Sequence, residues 1–146
     1  MPIERATPWN RSDFRHWLAI QTRWMDNDVY GHVNNVVYYS FFDTAVNEYL
    51  VRSGVLSIDA SPVIGVVVET SCNYFGELAF PQALEAGVRV ARIGTSSVRY
   101  EVGIFAAGSE LASAQGHFVH VYVDRQTRRP CPLPPALRAA LERIHA

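Results

Sequence analysis

The spacing of apolar and polar positions divides the chain into a strand, a long helix, four further strands and a closing helix. Residues 16–25 mix β-branched and aromatic positions with partial alternation, which predicts a first strand running straight into a polar stretch. From Val36 the period changes. Val37, Tyr38, Phe41, Phe42, Ala45, Val46, Tyr49 and Leu50 recur in steps of three and four, predicting a largely buried helix with a wide apolar stripe. Asn34 or Asn35 offers a side-chain oxygen to the free amides of its first turn, and Ser53-Gly54 supplies the stop. Four strand-like runs then follow with no helix between them: 63–74, 83–93, 97–106 and 111–123. Turn signals at Gly76, Pro81, Gly94 and Ala107-Gly108-Ser109 separate them, and the spacing predicts an antiparallel meander. Pro134-Pro135 opens a last helix that carries Leu137, Leu141 and Ile144. With no repeat, low-complexity tract or linker, residues 1–146 read as one α+β domain. Its simplest packing wraps a five-stranded antiparallel sheet around the central helix.

Composition narrows the function classes. At 49% hydrophobic and 12% aromatic the chain can fill a core, and 13 basic against 14 acidic residues leave a net charge of −1. The charges are interspersed, so no electrostatic footprint for nucleic acid is visible. Every basic residue is arginine, and without lysine there is no Schiff-base chemistry. Cys72 and Cys131 lack metal-type spacing and read as thiols in a reducing compartment. The first fifteen residues hold no apolar block long enough for a signal peptide or membrane span, which predicts a cytoplasmic protein.

The candidate chemistry lies in the stretch from Asp26 to Tyr38. Two carboxylates (Asp26, Asp28), a glycine (Gly31), an imidazole (His32) and two amides (Asn34, Asn35) stand immediately before the helix. Unbonded N–H groups at a helix start carry partial positive charge and can hold an oxyanion beside a carboxylate, as hydrolysis of an activated carbonyl requires. Asp28 is either the nucleophile or general base of such a site, or a turn residue that satisfies backbone amides. Asp26 reads as structural. His32 and Asn34 either orient substrate or water, or are satisfied within the loop. Glu69 interrupts an apolar run and is either part of the site or exposed on the outer sheet face. Asp28, His32 and Glu69 are the conceivable metal set, but no closely spaced second histidine or cysteine supports it. His117 and His120, three positions apart on a strand, point to opposite faces. Arg89 and Arg92 flank a turn and are either solvated or placed for phosphate.

The pattern Asp26-x-Asp28-x-x-Gly31-His32-Val33-Asn34-Asn35-x-x-Tyr38, followed by an aromatic helix, resembles the hotdog-fold acyl thioesterases of the 4-hydroxybenzoyl-CoA thioesterase type. The long-chain acyl-CoA and plant acyl-carrier-protein thioesterases share it, and the likeness covers residues 16–125, including the turn that ends at Ser97. The resemblance implies hydrolysis of acyl-CoA to free acid and coenzyme A, without a metal or separate cofactor. It also implies a homodimer or homotetramer with its sites at subunit interfaces. Asp28 falls on the family's catalytic aspartate, Gly31 on the glycine of the tight turn, and Asn35 where a backbone N–H polarises the thioester carbonyl. An apolar tunnel lined by some of Tyr38, Phe41, Phe42 and Val66 would take the acyl chain, with Asn34, Glu69 and Ser97 as further substrate contacts. An acyl-carrier-protein thioesterase and a non-catalytic acyl-CoA-binding dimer are the alternatives.

Overall fold

The computed structural model describes residues 5–146. Its elements run β1 (His16–Gln21), α1 (Val37–Arg52), β2 (Val63–Tyr74), β3 (Ala83–Ile93), β4 (Ser97–Ala106), β5 (Ala114–Asp124) and α2 (Pro135–Glu142). The expected hotdog arrangement is present, a five-stranded antiparallel sheet curled around α1. Two strand boundaries differ from the expected ones by more than a residue. β1 stops at Gln21 because Trp24–Asp26 turn into a short 3-10 helix, and β5 begins at Ala114 because Leu111 pairs with Asn10 instead.

The strand order β1-β3-β4-β5-β2 corrects the meander, which holds for β3 to β5 only. β2 pairs with β5, and β1 takes the place beside β3. Helix α1 causes this. Passing beneath the sheet, it delivers the chain from the β1 edge to the opposite edge, and residues 75–82 carry it back to β3.

The apolar stripe of α1 packs on the inner face of the sheet through Tyr38, Phe41, Phe42, Ala45, Val46, Tyr49 and Leu50. At Gly116 a Cβ would lie 2.6 Å from the Phe42 ring and 2.0 Å from the Ser71 carbonyl oxygen, so only glycine lets the helix sit this close. Leu137, Ala140 and Leu141 of α2 close the same core, and Tyr49 Oη donates to the Ala140 carbonyl at 2.5 Å. On the outer face, residues 7–14 form a strap that sequence patterning did not predict. Trp9 and Phe14 pack with Trp17 and Phe105, and the Gln115 side chain holds the strap through the Trp9 N–H and the Thr7 carbonyl. No helix among the described residues is long and apolar enough to cross a membrane.

Candidate active site

Between β1 and α1 the chain folds into a short hairpin. Asn34 N–H donates to the Asp26 carbonyl at 2.8 Å, Asn27 bridges Val33, and Asp28 N–H donates to the His32 carbonyl at 2.9 Å. The tip turns from Asp28 to Gly31, whose N–H returns to the Asp28 carbonyl at 3.1 Å. Gly31 has φ +84°, a left-handed conformation that costs other residues energy and that the tight turn requires. The hairpin is docked on the entry to β3: Val33 N–H donates to Leu78, Phe80 N–H to the Asn27 side chain, and Thr22 Oγ1 to Gln82.

Within this frame the two aspartates differ. Asp26 is fully buried and accepts from the Arg23 N–H at 2.7 Å and from its guanidinium at 2.8 and 3.1 Å, which makes it the structural anchor expected of it. Asp28 is half-buried. Its Oδ1 accepts the Tyr30 N–H at 2.8 Å, and its Oδ2 accepts no hydrogen bond among the described residues. It therefore shapes the turn while keeping one oxygen free, beside a cavity of about 310 Å³ lined by Trp24, Asn27, Asp28, Val29 and Gly31. His32 lies 3.0 Å from Glu77, a partner that sequence reasoning missed because the two come from separate connections.

The helix start differs slightly from expectation. Regular α-helical bonding begins at Val37, but Asn34 caps the turn before it: its Oδ1 accepts from Val36 at 3.3 Å and its carbonyl from Val37 at 2.9 Å. Asn35 is the first residue of that turn, and its N–H has no partner among the described residues. Its carbonyl accepts from Tyr74 Oη at 2.7 Å. Burial pushes the Tyr38 hydroxyl up to about 12 and the Cys72 thiol up to about 11, and raises the Tyr74 hydroxyl too. All three keep their protons at neutral pH, so Cys72 supplies no thiolate nucleophile there.

The remaining candidates are dispersed. Tyr38, Phe41 and Phe42 are 3%, 6% and 0% exposed on the inner side of the sheet, whereas Val66 pairs with Val121 on the outer face, so Val66 does not share a surface with the other three. The stripe of α1 is consumed in packing against the sheet. Phe41 borders a groove of about 230 Å³, with Ile20 and Ser40. A larger cavity of about 530 Å³ opens instead beside the C-terminal half of α1, between Val51, Leu56, Ile58, Ile64 and Gly65, rimmed by Asn47, Glu48 and Arg125. Glu69 takes the outer-face position: it lies 2.6 Å from His117 Nε2, while Ser71 Oγ and Arg99 Nη2 approach Nδ1. Asp28, His32 and Glu69 are therefore not one cluster. His120 and His117 take opposite faces as predicted; His120 is the inward one, 3% exposed, with neither ring nitrogen hydrogen-bonded among the described residues. Arg89 is committed to Glu101 at 2.9 Å and stacks on Trp9, whereas Arg92 and Ser97 border an outer-face groove.

Known proteins share this architecture. The PA5185 protein from Pseudomonas aeruginosa is 52% identical, with 96% of this chain and 98% of that one covered at a TM-score of 0.94. Slr0204 from Synechocystis, a 1,4-dihydroxy-2-naphthoyl-CoA thioesterase, has the same fold at 19% identity, covering 86% and 93% of the two chains with a TM-score of 0.77. YsmA of Bacillus subtilis is 24% identical over 98 residues, which are 67% of this chain and 63% of that protein's length. Residues 22–141 match the model of the thioesterase-like superfamily, and the chain belongs to that family.

Proposed function

We propose that this protein hydrolyses acyl-CoA thioesters, with Asp28 as nucleophile or general base and the Asn35 N–H as oxyanion donor. One observation carries the reading. A single hairpin, anchored by buried Asp26, presents a carboxylate oxygen at Asp28 and an amide at Asn35, neither of them bonded among the described residues. A carboxylate that attacks, or draws a proton from water, needs an unengaged lone pair. An oxyanion donor needs an N–H not already spent on the protein. The His32–Glu77 pair braces the far arm of the hairpin.

The same reading includes a homodimer. β2 is an edge strand with Val66, Val67 and Val68 exposed at 42%, 44% and 59%, and the loop shows Trp24, Val29 and Tyr30 at 84%, 93% and 82%. Apolar edges of this length are protected by pairing. In the carrier-protein alternative, the loop would meet an acidic partner. The one arginine of the loop, Arg23, is bound to Asp26, which favours coenzyme A. A thiol-release assay over aliphatic and aromatic acyl-CoAs, with matched acyl-carrier-protein substrates, tests the reading. Turnover of the CoA esters is expected, and no release from any thioester overturns it.

A further inference from the structure

On the outer face of the sheet, three side chains of β2 and β5 form an ordered chain of hydrogen bonds. Ser71 and His117 stand directly opposite each other in the ladder, and Glu69 precedes Ser71 by two positions, so all three share one face. Ser71 Oγ lies 3.0 Å from His117 Nδ1, and Glu69 Oε1 lies 2.6 Å from Nε2. Arg99 of β4 settles which nitrogen holds the proton. Its Nη2 lies 3.2 Å from Nδ1, and a guanidinium only donates, so Nδ1 presents a lone pair. The proton of the neutral ring is then on Nε2, donated to Glu69. Ser71 and His117 are half-buried and Glu69 is exposed. Cys72 packs against the inner core and Tyr74 holds Asn35, so by strand alternation Ser71 faces away from the hairpin.

We infer that Ser71 is the nucleophile of a second hydrolytic site, acting on small carboxylic esters, with His117 as its general base. A hydroxyl, a basic ring nitrogen facing it and a carboxylate behind the ring are the parts of an activated serine, whichever elements carry them. Ser71 Oγ bonds to the ester carbonyl carbon while its proton passes to His117 Nδ1. The ester C–O bond then breaks, and the alcohol leaves with that proton. Water completes the cycle: its oxygen bonds to the acyl carbon, its proton passes to Nδ1, and Oγ recovers that proton as the acid departs. Glu69 holds the ring and balances its charge while both nitrogens are protonated. Protonation of Nδ1 also ends its bond with Arg99, which frees that guanidinium for the developing oxyanion. A groove of about 300 Å³ bordered by Arg99, Val98 and Val119 opens on the same face and has room for a short aliphatic group. Pairing of two β2 edges engages backbone groups and leaves this face open. The site is independent of the acyl-CoA reading.

A fluorophosphonate probe, which bonds to an activated serine and releases fluoride, tests the site in the intact protein beside hydrolysis of p-nitrophenyl acetate. Peptide mass mapping should find the label on Ser71. Ser71→Ala should abolish labelling, and His117→Gln should slow labelling and ester turnover roughly a hundredfold or more, the usual effect of losing a general base. Melting curves check that both variants fold. Glu69→Gln should lower kcat for the ester at unchanged KM, and Glu69→Asp should recover part of it. A label absent from Ser71, or equal labelling of parent and His117→Gln, overturns the site. So does ester turnover that survives in Ser71→Ala, or a labelled parent that hydrolyses no ester.

Discussion

Tyr74 Oη donates to the Asn35 carbonyl at 2.7 Å, so the last residue of the edge strand holds the peptide that follows the candidate oxyanion donor. Tyr74→Phe keeps the ring, which meets Tyr38 edge-on at 5.1 Å, and deletes the bond. A hydrogen bond of this kind contributes about 1 kcal/mol, so the variant should fold but turn over several-fold more slowly, read as kcat beside a melting curve. Unaltered kcat would show that the peptide is positioned without the tyrosine.

The Asn35 amide itself is tested by proline. Position 35 follows the capping Asn34, and its N–H serves no bond among the described residues, so Asn35→Pro should preserve the helix. Turnover should fall roughly a hundredfold or more, the usual effect of losing one oxyanion donor. Asn35→Ala retains the N–H and should lose far less. Equal kcat for the two folded variants would remove Asn35 from the mechanism.

The two aspartates should separate activity from stability. Asp28→Asn leaves the turn bond to Tyr30 available and removes the attacking charge, so hydrolysis should vanish while the melting temperature holds. Asp26→Asn weakens a buried acceptor of three N–H groups and should cost about 1–3 kcal/mol by denaturant titration, with a smaller loss of kcat. Substantial hydrolysis by purified Asp28→Asn would reject it as the catalytic group.

Acid should destabilise the fold through His120. Burial lowers its pKa from 6.5 to about 4, so the folded state favours the neutral ring. The unfolded chain binds the proton first, so stability is full above pH 6.5 and declines as the pH falls towards 4. The loss attributable to this residue is at most roughly 3 kcal/mol. Denaturant titrations at pH 7 and pH 4.5 should show a decline that His120→Leu reduces. An identical decline in the variant would assign it to other groups.

Light scattering at micromolar concentration should give a dimer or larger species. Val68 is exposed on the β2 edge, at the bulge in the β2–β5 register, and Val68→Lys sets a charge where a second copy would pair. The variant should shift towards monomer and lose turnover together with assembly. A monomeric parent would rule out sites built across two chains.

Much of the fold was legible because local physics wrote it. Period-two runs of β-branched residues marked β2, β3 and β4 to their ends, and the period-3.6 stripe marked every residue that α1 buries. The glycine turn of the hairpin was legible for the same reason, since φ +84° at Gly31 is a local demand. The chemistry of Glu69 was open in the sequence because its two roles differ only in which face of β2 it occupies. Its register opposite Val119 set that face.

Local sequence dictates which segments become strands and helices, and where the polar loop sits before α1, since backbone preference and side-chain period act over a few residues. The order β1-β3-β4-β5-β2, the strap of residues 7–14, the His32–Glu77 and Tyr74–Asn35 contacts, and the meeting of Ser71 with His117 arise only in the packed fold. Each of these joins residues distant along the chain, and their proximity follows from how one curved sheet closes over one helix. No short stretch of sequence encodes that closure, because it is a property of the packed core as a whole.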